Sequence, residues 1–120
     1  MYKILVVDDA GFMRKTVQNH LGKAGYDTFI EAEDGQRAVI LYQEQKPDLV
    51  IMDITMPNMD GIEALRTIRS MDPNAKVVMC SAMGQESMVM EAIKLGALDF
   101  IVKPFKAERI SQTVNKILPL

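Results

Sequence analysis

Residues 49–53 read Leu49-Val50-Ile51-Met52-Asp53, a short apolar run that ends in a carboxylate. The same pattern occurs at residues 4–9, where four aliphatic side chains are followed by two aspartates. At residues 100–103, three apolar side chains lead into a lysine. Short apolar runs rich in β-branched residues, with helical patterns between them, are typical of buried parallel strands. The chain is therefore predicted to have an α/β fold built on a parallel sheet.

Strand and helix patterns alternate five times along the chain, which is typical of a doubly wound (βα)5 domain. Right-handed crossovers between parallel strands place helices on both faces of the sheet, and no segment is left for a second domain. A single domain is therefore expected over residues 1–120. Asp60 is the predicted N-cap of the third helix. The strands are predicted near residues 3–7, 27–31, 48–53, 76–80 and 99–102, with the second helix near 36–45 and the fourth near 85–95.

Bulk composition argues against several classes of protein. The formal net charge of −2 over 120 residues gives no reason to expect nucleic acid as a partner. No apolar stretch approaches the roughly 18 residues that span a bilayer, so no membrane partner is expected. The single cysteine, Cys80, excludes an internal disulfide and is expected to be a buried thiol. A cytoplasmic location is predicted from these features.

Four charged residues stand where the apolar runs end: Asp8, Asp9, Asp53 and Lys103. In an open α/β sheet, ligands bind outside the carboxyl ends of the strands, so these side chains are expected to meet at one edge. Clustered carboxylates repel one another unless a cation offsets the repulsion, and their hard oxygens suit Mg²⁺ better than zinc. A lysine beside them suits a phosphoryl oxygen. The pattern indicates a divalent cation next to a phosphoryl group.

Simpler structural roles are available for the same residues. Asp9 could be the N-cap of the first helix, and Asp53 a polar residue at the start of a loop. Ser81 closes the fourth apolar run, where its hydroxyl either reaches the phosphoryl group or caps the fourth helix. The expected convergence of three aspartates and a lysine at one edge favours the functional interpretation.

Four segments carry a more specific pattern: Val6-Val7-Asp8-Asp9 with Arg14, Met52-Asp53-Ile54-Thr55-Met56-Pro57 with Asp60-Gly61, Ser81-Ala82, and Val102-Lys103-Pro104. Together they resemble the receiver domain of bacterial response regulators, in order and with appropriate spacing over essentially the whole chain. The resemblance implies a flavodoxin-like sheet with strand order 2-1-3-4-5. Because these 120 residues include no output domain, the chain is most similar to the stand-alone chemotaxis regulators of that family.

The resemblance implies a role for each member of the charged cluster. Asp53 would be the phosphoacceptor, taking a phosphoryl group from a histidine kinase or a small phosphodonor. Asp9 and Asp53 would bind Mg²⁺ directly, with the backbone carbonyl of Thr55 as a third ligand and Asp8 acting through water. Lys103 would hold a phosphoryl oxygen during in-line transfer. On this interpretation the chain is a two-component signalling protein that catalyses only its own phosphorylation and dephosphorylation.

The resemblance also implies a switch. Phosphorylation adds about −1.5 to −2 charges, and Ser81 would move toward them. Phe100, where the best-known chemotaxis members carry a tyrosine, would turn inward in a shift between two packings. The output surface would then bind a flagellar motor switch protein or another effector, and a phosphatase is a further possible partner. The residues predicted to form that surface are Val89, Ile93, Ala97, Phe100 and Val102.

Other functions remain open from the sequence. The chain is compatible with a phosphorelay intermediate, a receiver excised from a larger regulator, or a receiver that only docks. A phosphohydrolase of the haloacid dehalogenase type also forms an aspartyl phosphate, but it needs a second acid where Thr55 stands. A flavodoxin needs a hydroxyl-rich phosphate loop after the first strand, where Asp8 and Asp9 would repel phosphate.

Overall fold

The structure is a computed structural model that describes all 120 residues. All five strands are parallel and pair in the order β2-β1-β3-β4-β5, which confirms the expected doubly wound architecture. No helix is both long enough and apolar enough to cross a bilayer. The elements are β1 (Lys3–Val7), α1 (Gly11–Lys23), β2 (Thr28–Ala32), α2 (Gly35–Gln45), β3 (Leu49–Asp53), α3 (Gly61–Met71), β4 (Val77–Ser81), α4 (Glu86–Lys94), β5 (Asp99–Val102) and α5 (Ala107–Ile117).

The predicted element bounds agree with the structure to within one residue. Strands β2, β3 and β4 each begin one residue later than expected, because a charged residue opens each predicted range and belongs to the preceding turn. At β3 that residue is Asp48, whose carboxylate accepts the Lys3 N–H at 2.7 Å. Asp60 is the N-cap of α3 as predicted, and its carboxylate accepts the Glu63 N–H at 2.9 Å.

The sheet divides the core into two halves, because alternate residues of a strand face opposite sides. One half packs against α1 and α5, and the other packs against α2, α3 and α4. Each fully buried aliphatic side chain contributes about 1.5–3 kcal/mol, so both halves stabilise the sheet. The strand residues that face α1 and α5 are Ile4, Val6, Leu49, Ile51, Val78, Cys80 and Ile101, and those on the other side include Leu5, Val7, Val50, Met52, Val77 and Met79.

This alternation decides which polar residues share a side where the strands end. Asp8, Asp53 and Lys103 continue the rows that face α1 and α5, two positions after Val6, Ile51 and Ile101 respectively. Ser81 continues the opposite row, two positions after Met79, and Phe100 packs against that same half of the core. Asp8, Asp53 and Lys103 therefore begin on the opposite side of the sheet from the predicted switch residues.

Candidate functional site

The predicted convergence of the acidic residues and the lysine is present in the structure. Lys103 Nζ lies 2.7 Å from Asp8 Oδ2 and 3.3 Å from Asp53 Oδ2. One carboxylate oxygen from each of Asp8, Asp9 and Asp53 lies within 4.8 Å of the other two. Asp8 is buried, Asp53 is partly buried, and Asp9 is exposed, so the cluster opens to solvent on the Asp9 side. We call these four residues the acidic site.

The electrostatics of the acidic site favour a bound cation. Burial raises the pKa of Asp53, and the charges of Asp8 and Asp9 raise it further, whereas Lys103 acts against them. Burial by itself would lower the pKa of Lys103, but the hydrogen bond and charges of Asp8 and Asp53 outweigh it and raise that pKa. Lys103 is therefore an ammonium at neutral pH, and it faces three carboxylates. Their hard oxygens and excess negative charge fit Mg²⁺.

A capping role does not account for Asp9. The N-cap of α1 is Ala10, which makes no side-chain cap hydrogen bond. Asp8 Oδ1 instead accepts the Ala10 N–H at 2.9 Å, which fixes the turn between β1 and α1. The Asp9 carboxylate is left free of helix capping and stays at the acidic site.

Arg14 positions the acidic turn, a role that the sequence did not reveal. Its Nη1 donates to the Asp8 carbonyl oxygen at 2.7 Å, and its Nε donates to Glu31 Oε1 at 2.8 Å. Glu31 lies on β2 beside Val6 of β1 and also pairs with Lys15 at 2.8 Å. These partners lower the pKa of Glu31 to about 2, with the hydrogen bond from Lys15 the largest cause. The expected strand order places β2 beside β1, but only the structure shows that Glu31 reaches Arg14 beside the turn.

The loop from residue 54 to 60 is held at both ends by close backbone approach. A β-carbon at Gly61 would lie 2.1 Å from the Asp53 carbonyl oxygen, and one at Gly35 would lie 2.3 Å from that of Met59. Asn58, with φ of +67°, donates from Nδ2 to Asp34 Oδ2 at 2.8 Å. This loop carries Thr55, the residue whose backbone carbonyl is the predicted third ligand.

Ser81 has a buried hydroxyl without a partner. It is fully buried, and its Oγ makes no hydrogen bond within the chain. The alternative that it caps α4 is wrong, because Gln85 occupies the N-cap position. An unpaired buried hydroxyl costs about 1–3 kcal/mol, and a rearrangement that gives Ser81 a partner would remove this cost. The peptide bond between Lys103 and Pro104, beside this segment, is cis.

A cavity of about 270 Å³ lies between β4, α4 and β5, and Ser81 and Phe100 both line it. Phe100 is partly buried. The cavity provides the space that an inward movement of Phe100 would need.

The predicted output surface needs a correction. Val89 and Ala97 are each only 8% exposed and belong to the core, so their assignment to an exposed patch is wrong. Val89 on α4 and Ala97 in the loop between α4 and β5 both pack into the half of the core that faces α2, α3 and α4. Ile93 at 42% and Val102 at 38% are exposed as predicted. Met90 is also exposed and lines the cavity, although the sequence pattern did not single it out.

Comparison with known proteins places this geometry in one family. Residues 4–115 match the response regulator receiver domain. The chemotaxis protein CheY of Bacillus subtilis is 56% identical over 117 residues, which is 98% of each chain. CheY of Thermotoga maritima is 55% identical over 115 residues and 96% of each chain. In a solved CheX–CheY–BeF3–Mg complex from Borrelia burgdorferi, one chain superposes with a TM-score of 0.92 at 38% identity, covering 99% of this chain and 90% of that one.

Proposed function

The chain belongs to the family of response regulator receiver domains, and we propose from this membership that it is a phosphorylation-activated regulator of chemotaxis. Relatives named CheY match it at 55–56% identity over nearly their whole length. The observation that carries the proposal is the position of Lys103, whose ammonium lies between Asp8 and Asp53 at 2.7 and 3.3 Å. This position supports a role for Lys103 in holding an oxygen of a phosphoryl group on Asp53.

Asp53 is the proposed phosphoacceptor. A carboxylate oxygen of Asp53 attacks the phosphorus of a phosphohistidine on a histidine kinase, and a new O–P bond forms as the N–P bond breaks. The electron pair of the broken bond stays on the imidazole nitrogen, which takes up a proton. Lys103 holds an equatorial oxygen of the transferring group, so its charge offsets the charge that builds up there. The product is an acyl phosphate on Asp53.

Mg²⁺ is the proposed cofactor of the acidic site. Asp9 and Asp53 would hold it directly, the Thr55 carbonyl would add a ligand, and Asp8 would act through water. When bound, the ion supplies positive charge that offsets the repulsion between the carboxylates and the incoming phosphoryl group. Arg14 keeps the Asp8 backbone in place, and the carboxylates of this turn would then be free to hold the ion.

The output of phosphorylation is proposed to be a change at the α4–β5–α5 face. Ser81 moves toward the phosphoryl group, gains a hydrogen-bond partner and leaves space that Phe100 fills. With Phe100 turned inward, the exposed side chains of Ile93 and Val102 border a reshaped apolar surface for a partner helix, and a flagellar motor switch protein is the proposed partner. The Borrelia burgdorferi CheY in complex with CheX supports protein partners for chains of this kind, and a phosphatase is a further proposed partner.

Intact mass spectrometry tests the phosphoacceptor directly. The chain is incubated with acetyl phosphate, with and without Mg²⁺, and quenched in acid. We expect one phosphoryl group per chain with Mg²⁺, none in Asp53→Asn, and a normal gain in Asp27→Asn, an exposed aspartate at the opposite end of the sheet. A gain that persists in Asp53→Asn would refute Asp53 as the acceptor. Steady release of phosphate from simple esters would instead favour the phosphohydrolase alternative.

A further inference from the structure

The side chain of Gln85 connects two loops beside the acidic site. Its Oε1 accepts the Ala82 N–H at 2.6 Å, and its Nε2 donates to Thr55 Oγ1 at 2.7 Å. The Nε2 also lies 3.7 Å from the Met88 sulfur. One carboxamide therefore links the loop after β3 to the loop after β4. We call this pair of hydrogen bonds the Gln85 clasp.

The Gln85 clasp spans the space next to Asp53. Asp53 pairs with Cys80 in the register of β3 and β4, and the Ile54 N–H donates to the Cys80 carbonyl oxygen at 3.0 Å. Thr55 and Ala82 each lie two residues beyond this pair, at the beginning of the two loops that flank Asp53. A bond between those loops therefore links the two chain segments that adjoin Asp53.

The conformation around Gln85 favours the clasp over a hydrogen bond that caps α4. Gln85 is the N-cap residue of α4, yet its side chain makes no cap hydrogen bond to that helix. Its amide oxygen turns back to Ala82 instead. Gly84, with φ of +88°, makes this reversal, and a β-carbon there would meet no atom within 4 Å. The glycine is thus required by the backbone conformation and not by lack of space.

We propose that Gln85 is a positioning residue whose clasp holds the two loops together in the unphosphorylated chain and limits the rate at which Asp53 gains a phosphoryl group. This inference rests on the proposed function. The neutral amide oxygen of Gln85 occupies the Ala82 N–H, whereas a phosphoryl oxygen is charged and makes a stronger hydrogen bond. Ser81, directly before Ala82, must also shift if its unpaired hydroxyl is to find a partner. The clasp opens when the segment moves.

A double-mutant cycle tests the clasp kinetically. Phosphoryl gain from acetyl phosphate is followed by intact mass for wild type, Gln85→Ala, Thr55→Val and the double variant. The bridge consists of two hydrogen bonds of ordinary net strength, so we expect Gln85→Ala to gain the phosphoryl group about three- to tenfold faster. The double variant should be no faster than Gln85→Ala, because both single changes break the same bridge.

Two further variants separate the clasp from general effects. Gln85→Asn has a shorter side chain that cannot span both partners, so it should match Gln85→Ala. Gln43→Ala removes an exposed glutamine on α2 whose side chain makes no hydrogen bond, and it should keep the wild-type rate. The inference would be overturned if Gln85→Ala gained the phosphoryl group no faster than wild type. It would also be overturned if the rate increases of the two single variants multiplied in the double variant.

The side-chain amide resonances of Gln85 give a readout that a merely structural role would not move. In wild type without ligand, these NH2 resonances should differ from those of a free glutamine, because Nε2 is bonded to Thr55. On addition of beryllium fluoride and Mg²⁺ they should shift to free values, with those of Gln43 unchanged. Unchanged Gln85 resonances in a chain that takes up the phosphoryl group would refute the inference alone. A wild type that takes up none would refute the proposed function, and this inference with it.

Discussion

Asp53→Asn should stabilise the metal-free fold while it abolishes phosphorylation. Asparagine keeps nearly the same shape and removes one of three carboxylates that lie within 4.8 Å of one another. Asp53 is partly buried, and burial is the largest cause of its raised pKa. Its negative charge is therefore unfavourable in the native state, and its removal should increase the free energy of unfolding.

The charges around Asp53 give the size of the expected increase in the free energy of unfolding. Two carboxylates lie within 4.8 Å of it, and at an effective dielectric constant of about 20 each costs about 3.5 kcal/mol. The Lys103 ammonium at 3.3 Å offsets about 5 kcal/mol of this cost. The remainder is about 2 kcal/mol, and solvent around exposed Asp9 reduces it. We expect a gain of about 1–2 kcal/mol, or roughly 4–8 °C in Tm for a chain of this size.

Urea unfolding followed by circular dichroism, in EDTA and again in Mg²⁺, measures this difference. Asp27→Asn is the matched control and should change stability by less than about 0.5 kcal/mol. Mg²⁺ should stabilise wild type by mass action, and Asp53→Asn should lose most of that gain because one proposed ligand is gone. The order of stability should therefore reverse, or the gap should narrow, when Mg²⁺ replaces EDTA.

The raised pKa of Asp53 determines how the stability difference between wild type and Asp53→Asn changes with pH. A carboxyl group with a folded pKa above its unfolded value destabilises the fold while it is ionised, and this cost disappears as the pH falls through the folded pKa. The advantage of Asp53→Asn in EDTA should thus shrink in acid. If Asp53→Asn proves less stable than wild type in EDTA at pH 7, attraction to Lys103 dominates and the repulsive account of the acidic site is incorrect.

Three smaller predictions concern residues around the site. Glu31→Gln breaks the pairs that hold the pKa of Glu31 at about 2, lowered from 4.5. It should therefore cost about 1 kcal/mol at pH 7, and the deficit should shrink in urea titrations as the pH falls from about 4.5 toward 2; a constant deficit would contradict this. Gly84→Ala should cost about 1 kcal/mol in thermal unfolding, because φ is +88°, and Gly84→Asn should cost less. Burial raises the pKa of the Cys80 thiol to about 12, so a thiol reagent should modify it only in proportion to the unfolded fraction in urea; rapid reaction in native buffer would contradict the burial.

The fold was predictable because its signals are local and repeated. Each buried strand carries its own run of β-branched and aliphatic residues, and the charged residues between runs mark the turns. Parallel strands joined by helices leave little choice of architecture. The strand order was not derivable from the runs, and it entered only through the family resemblance. The one-residue errors at the starts of β2, β3 and β4 arose at Asp27, Asp48 and Lys76, where a polar residue lies on the boundary between turn and strand.

The acidic site was predictable for a different reason. Its residues stand where strands end, and parallel strands bring those ends together whatever the intervening sequence. Arg14 and Gln85 could not be assigned in this way, because each acts through a partner on another element. Val89 and Ala97 were misassigned because an apolar residue on a half-exposed helix fits either the core or the surface. Only the rotation of α4 on the sheet decides between the two.

Several residues at the acidic end of the sheet depart from the usual patterns of charge, hydrogen bonding and helix capping. This concentration indicates a functional site. Asp53 carries a charge that is unfavourable where it lies, and Ser81 has a buried hydroxyl without a partner. The Gln85 side chain makes no cap hydrogen bond to the helix that follows it. These three departures lie at the same edge of the sheet, and departures from local patterns are expected at functional sites. A phosphoryl group at Asp53 would give the Ser81 hydroxyl an acceptor. It would also change the balance of charge at the acidic site. We infer that these unfavourable features raise the free energy of the unphosphorylated state. The two states are then close enough in free energy for phosphorylation to switch between them.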